Sequence, residues 1–207
     1  MRPLLGRACA VVVVSLLAGH AALAQEAPTW SFDASALTYF VPDSSEFVSP
    51  GVKADRGWLH LEARYNYEGF RTASVWFGYN FSVGKELTLD VTAMVGGVMG
   101  DTAGIAPGWR FSLKYWKLEL ASESEYVFDS RDSADDFFYN WSELAIAPAD
   151  WLRAGLVVQR TRLYGEDREL QRGFLVGFSY EKVYATAYVF NPDLAKPTFV
   201  LALGVGF

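Results

Sequence analysis

Large apolar and small or polar residues alternate along most of the chain. In Leu59–Tyr67, Leu59, Leu61, Ala63, Tyr65 and Tyr67 take one face and His60, Glu62, Arg64 and Asn66 the other. Ala73, Val75, Phe77, Tyr79 and Phe81 likewise stand against Ser74, Trp76, Gly78 and Asn80, and Leu87, Leu89, Val91, Ala93 and Val95 against Thr88, Asp90, Thr92, Met94 and Gly96. A period of two marks strands whose two faces meet different surroundings. Read between turn signals, the pattern predicts twelve strands, at 29–41, 45–54, 57–67, 72–82, 86–98, 107–116, 117–128, 137–147, 151–163, 169–180, 182–191 and 197–207. The last, Phe199-Val-Leu-Ala-Leu-Gly-Val-Gly-Phe207, sets Phe199, Leu201, Leu203, Val205 and Phe207 against smaller residues.

The connectors alternate too. Short ones ("DR" at 55–56, "VGK" at 83–85, the Trp116-Lys117 junction, "PAD" at 148–150, "EK" at 181–182) take turns with longer, more polar ones such as "EGFR", "GDTAGIA", "DSRDSADD", "YGEDR" and "NPDLAK". Strands long enough to cross a bilayer at a tilt, joined by short turns at one end and longer loops at the other, fit a closed transmembrane barrel. With both ends of the chain on one side of the membrane the strand number is even. Parity therefore favours accepting 45–54 as a strand despite Pro50; ten strands is the fallback. The fold class expected is all-β, a closed antiparallel up-and-down barrel.

Residues 1–24 change the picture of where the chain goes. Arg2 and Arg7, the apolar run "ACAVVVVSLLAG" and Ala22-Leu23-Ala24 before Gln25 have the layout of a cleaved signal peptide. Cys9 lies inside that segment, so the remaining 25–207, one barrel domain, holds no cysteine. It keeps sixteen Lys and Arg against twenty-four Asp and Glu, a net charge of −8, which gives no footprint for nucleic acid. Half of the 207 residues are hydrophobic (51%) and 16% aromatic, yet no run beyond residue 24 suits a membrane helix. Apolar residues dispersed over alternating strands account for both facts.

The signal segment, the alternating strands and the closing "LALGVGF" resemble bacterial outer-membrane β-barrel proteins, and "LHLEARYNYEGFRTASVWFGYNF" looks like small barrels of unassigned function. The resemblance implies an outer-membrane location and contact with membrane lipid and lipopolysaccharide. It also implies that Phe199, Leu201, Leu203, Val205 and Phe207 serve as the recognition signal for the barrel-insertion machinery. It implies no activity and no oligomeric state.

On this reading Trp30, Trp58, Trp109 and Trp151, with Tyr39, Tyr67, Tyr79, Tyr126, Tyr164 and Tyr180, belong to aromatic belts at the two interfaces. Trp76, Tyr139, Trp141, Tyr184 and Tyr188 are the rings expected to point inward. The charged residues expected on the lumen face are Asp33, His60, Glu62, Arg64, Asp90, Arg110, Lys114, Glu119, Glu123, Glu125, Glu143 and Arg153. Two functions suit that face. The one favoured is a narrow channel for small solutes with a weak cation preference, from acidic strand seven opposite arginines and from loops too short to make a large plug. The same charges closed into ion pairs describe a non-conducting structural or surface-interaction barrel.

Catalysis is not expected. His60 is the single histidine left after cleavage, and Glu62, not a serine, follows it on the same face, unlike the Ser–His pair of a lipid hydrolase. No cofactor is expected, and no His/Cys cluster suggests a transition metal. Asp129, Asp132, Asp135 and Asp136 crowd one loop; a solvated acidic loop is favoured over a Ca²⁺ or Mg²⁺ site because the spacing of a dedicated loop is missing. Arg160, Arg162 and Arg172 cluster where lipopolysaccharide phosphates would lie.

Overall fold

The computed structural model describes residues 28–161 and 169–207. Twelve strands run β1 Ser31–Phe40, β2 Phe47–Arg56, β3 Leu59–Tyr65, β4 Thr72–Gly84, β5 Leu87–Gly100, β6 Gly104–Tyr115, β7 Leu118–Asp129, β8 Phe137–Ala149, β9 Leu152–Thr161, β10 Glu169–Tyr180, β11 Val183–Phe190 and β12 Thr198–Gly206. Each pairs antiparallel with its sequence neighbours, and β1 pairs with β12 from Asp33↔Gly206 to Phe40↔Phe199. That last ladder closes the barrel and removes the edges an open sheet would expose. The residues expected to form the signal peptide, 1–24, lie outside the described residues, as do Arg162 and Tyr164.

The first hairpin carried the strand count. β2 includes Pro50, paired with Ala36 of β1, while the ladder to β3 begins one residue later at Gly51↔Arg64. The missing N–H therefore sits where pairing with β3 has already ended, which is how a sheet tolerates proline. Two-residue turns join β2–β3, β6–β7 and β10–β11; their first residues, Gly57, Trp116 and Glu181, have φ of 59°, 53° and 52°. Pro148 falls in a one-residue bulge, where β8 and β9 shift register between Ile146 and Ala149.

Alternation sorts the side chains. Along β4, Trp76 is 3% exposed and Phe77 is 53% exposed. Val75, Leu144, Leu156, Phe174 and Leu203 are exposed like Phe77. At the short-turn end aromatic rings stack in pairs: Trp58 on Tyr79, Trp151 on Phe178, and Phe32 between Trp30 and Phe207. Two expected belt residues turn inward instead. Tyr39 is buried and stacks on Phe47 at 4.5 Å. Tyr67 lies past the end of β3, because Asn66 adopts φ 55° and breaks the alternation, so the ring folds over Arg64 at 4.4 Å.

Candidate functional site: the barrel interior

Arg64 of β3 stands at the centre of the interior. Its Nε donates to Glu62 at 2.9 Å; Nη1 reaches Glu125 at 2.9 Å and Nη2 reaches Glu123 at 2.8 Å, both on β7. The guanidinium also packs against the ring of Trp76 at 4.6 Å and that of Tyr67 at 4.4 Å, so its charge meets both carboxylates and aromatic faces. Arg110 of β6 bridges the same acids, donating from Nε to Glu123 at 2.8 Å and from Nη2 to Glu62 at 3.1 Å. His60 lies between Asp55 (Nδ1, 2.7 Å) and Glu62 (Nε2, 3.1 Å). Ion pairs this deep lose hydration, and only dense mutual bonding offsets that loss.

Aromatic side chains extend the layer across the barrel. The Tyr67 hydroxyl is 3.2 Å from Glu123 and 3.1 Å from the Tyr139 hydroxyl. Trp141 of β8 packs edge-on against Tyr188 and Phe190 of β11, at 5.0 and 5.3 Å between ring centres. Glu143 accepts from Trp141 Nε1 and from the Tyr188 hydroxyl, each at 2.8 Å, and pairs with Arg153. Side chains thus connect β3 to β7 and β8 to β11 through the interior. The loop after β3 adds Glu68, which accepts from Ser74 at 2.6 Å and from Trp76 at 3.3 Å. Burial holds the Glu68 carboxyl above the usual range, against the lowering pull of Arg64.

Closure is uneven along the axis. Inward residues on the loop side, such as Ser74, Trp76, Val127, Tyr139, Val157 and Phe190, are buried, whereas Asp33, Asp90, Ser112, Glu119, Arg153 and Tyr184 near the short turns are half-buried and Lys114 is exposed. Between the two zones lies a cavity of about 250 Å³. The residues expected inside behave accordingly. His60, Glu62, Arg64, Arg110, Glu123 and Glu125 join one network, and Glu143 with Arg153 a second, with Glu119 3.8 Å from Arg153. Asp90 accepts from Ser82 at 2.6 Å and Asp33 from Tyr184 at 3.0 Å, both away from the Arg64 layer. Lys114 is opposite Glu119 in the β6–β7 register but makes no ion pair among the described residues.

Sequence reasoning missed Lys53, Asp55, Tyr67 and Glu68 as interior residues. Lys53 and Asp55 were legible in principle, since Ser49, Gly51, Lys53 and Asp55 alternate with Val48, Pro50, Val52 and Ala54. Tyr67 and Glu68 were not, because they enter from a loop.

The five positions of the expected insertion signal, Phe199, Leu201, Leu203, Val205 and Phe207, are all exposed on the outer surface. That surface carries a polar cluster: Ser122, Ser124, Asn140 and Ser142 face outward and hydrogen-bond to one another. In the acidic loop the aspartates serve the backbone. Asp129 accepts from the N–H of Arg131, Asp132 from Ala134 and Asp136 from Asp129, at 2.7–2.9 Å. Arg160 stacks over Phe138 and Arg172 pairs with Asp193 at 2.9 Å.

Taken together, this is a closed twelve-stranded up-and-down antiparallel barrel with a charged, aromatic interior and an apolar exterior. Comparison with family models and with curated proteins gives no match.

Proposed function

We propose that the chain is a bacterial outer-membrane barrel whose lumen is closed on the loop side, acting as a non-conducting structural or surface-interaction component. The observation that carries this reading is the span from Arg64 to Glu123 and Glu125, sealed by Tyr67, Trp76 and Tyr139. Barrels of about eight strands are filled by side chains and those of about sixteen hold water channels; this interior is filled on the loop side and partly exposed on the short-turn side. The exposed apolar exterior supports insertion in a bilayer, with the backbone groups satisfied by the closed ladder. Membrane lipid and lipopolysaccharide are then its immediate partners, and residues 1–24 its export signal. His60, held by two carboxylates, supports a structural use of that residue.

The test is planar-bilayer recording of the refolded protein. Closure predicts no steady current at moderate voltage, and stepwise current from an Arg64→Ala, Tyr139→Ala variant. The acidic excess near the short turns, Asp33, Asp55, Asp90 and Glu119 against Lys114 and Arg153, favours a second reading, a narrow cation-preferring channel. Ohmic, cation-selective steps from the unaltered protein establish that reading and remove the first.

A further inference from the structure

The central cavity holds two polar groups that the ion-pair networks leave unused, a hydroxyl and an ammonium, and both can donate. Ser49 is 2% exposed, lines the cavity, and its Oγ has no hydrogen-bond partner. Lys53, two positions further along the same face of β2, lines it too and makes no hydrogen bond or ion pair among the described residues. Gly51 lies between them and keeps the wall open: a Cβ there would meet only the Ala63 carbonyl, at 3.7 Å.

The carboxylates on the wall have no such spare capacity. Glu62 serves His60, Arg64 and Arg110; Glu123 serves Tyr67, Arg64 and Arg110; Glu143 serves Trp141, Tyr188 and Arg153. A cationic ligand would compete with these bonds for the same oxygens, whereas an acceptor on the Lys53 ammonium competes with none. Glu62 is the cross-strand neighbour of Lys53 in the β2–β3 register, and its oxygens are taken by His60, Arg64 and Arg110. The rest of the wall includes Leu37, beside Ser49 in the β1–β2 register, Ala202 beside Leu37, and the rings of Trp141 and Tyr188.

From this we infer that the cavity binds a small organic acid, its carboxylate on the Lys53 ammonium and its apolar body against Trp141 and Tyr188. The volume, about 250 Å³, is just below the ~300–1,000 Å³ of sites for drug-sized ligands and suits a single ring or short chain. A charge-assisted bond in a partly dry site is stronger than a neutral one, so the carboxylate rather than the body sets the preference. Access is from the short-turn end, where the interior is half-exposed. The inference rests on the barrel interior and holds whether or not the lumen conducts.

Isothermal titration with benzoate, on the full barrel in phospholipid nanodiscs with empty nanodiscs as blank, tests it. Saturable binding at millimolar or lower concentration is expected, at least about tenfold tighter than for the neutral isostere benzamide and for inorganic phosphate. Lys53→Met should weaken benzoate at least about tenfold, Lys53→Arg should restore most of it, and Gly51→Leu should block it by filling the cavity. Heat-modifiable mobility on gels checks that each variant is folded; should Lys53→Met not fold, the benzoate–benzamide ratio on the unaltered protein decides. Non-saturable uptake, equal affinity for benzoate and benzamide, equal affinity for phosphate, or full binding by a folded Lys53→Met each overturns the proposal. Conductance without loss of binding overturns only the closed-lumen reading, and loss of binding without conductance only this one.

Discussion

Arg64 and Glu125 meet at 2.9 Å across the barrel interior, joining β3 to β7 over a sequence separation of 61 residues. Neither side chain has appreciable contact with solvent, and Glu123 and Glu62 share the same guanidinium. Removing the arginine alone leaves buried carboxylates with too little positive charge. Arg64→Ala should therefore cost about 3–5 kcal/mol, whereas Glu125→Gln, which leaves no uncompensated charge, should cost clearly less. Equilibrium urea unfolding in lipid vesicles, followed by tryptophan emission, measures both.

Trp76 lies flat on two glycines. A Cβ added at Gly96 would fall 2.5 Å from the indole, and one at Gly108 would fall 3.2 Å from it. Gly96→Ala must push the indole out of its place above Arg64 and break its bonds to Ser74 and Glu68. The expected loss is about 1–3 kcal/mol. A red shift of tryptophan emission should accompany it, and Gly97→Ala, which meets nothing within 4 Å, serves as the control.

Glu68 gives the stability a pH dependence. Its folded carboxyl is raised above the ordinary glutamate range by burial, so between the unfolded and folded values the folded chain binds the extra proton. Its contribution is then fully present below the unfolded value, ~4.3, and is lost as the pH rises through the window to the raised folded value. Glu68→Gln keeps an acceptor for Ser74 and Trp76 and removes the titration. The variant should gain on the parent as pH rises from 4 to 7 (about the span from glutamate's ordinary value upward), with little difference at the acid end; urea midpoints across that range check it.

Depth along the outer face should govern the cost of charge. Phe77, near the middle of β4, and Val83, near its short-turn end, are equally exposed. In a bilayer Phe77→Lys should cost about 2–4 kcal/mol and Val83→Lys about 0–1 kcal/mol, by unfolding in vesicles. Equal costs would indicate a surface in water.

The strand order and number were legible because the alternation is local and the parity of a closed barrel is a counting rule. Pro50 left one hairpin in doubt, and the ladder to β3 that begins after it explains why the strand survives. Strand ends were less legible. Asp55 and Arg56 read as a turn, yet they extend β2, since Gly57 supplies the positive φ two residues later than expected. The lumen membership of Arg64, Glu123 and Glu143 followed from alternation, but their pairing did not. Which acid meets Arg64 depends on the stagger of strands four places apart, which no local pattern encodes. Tyr39 and Tyr67 show the same limit for aromatics: a ring at a strand end suits a belt or a plug, and the turn conformation at Asn66 chooses for Tyr67.

The most direct measurement is nitroxide accessibility along β4 from residue 73 to 81 in lipid bilayers. Membrane insertion around a closed interior predicts high oxygen and low polar-reagent contact at Val75, Phe77 and Tyr79, with both low at Ser74 and Trp76, repeating every second residue. Polar-reagent access at Phe77 matching that of a water-exposed site, or no alternation along the strand, would contradict it.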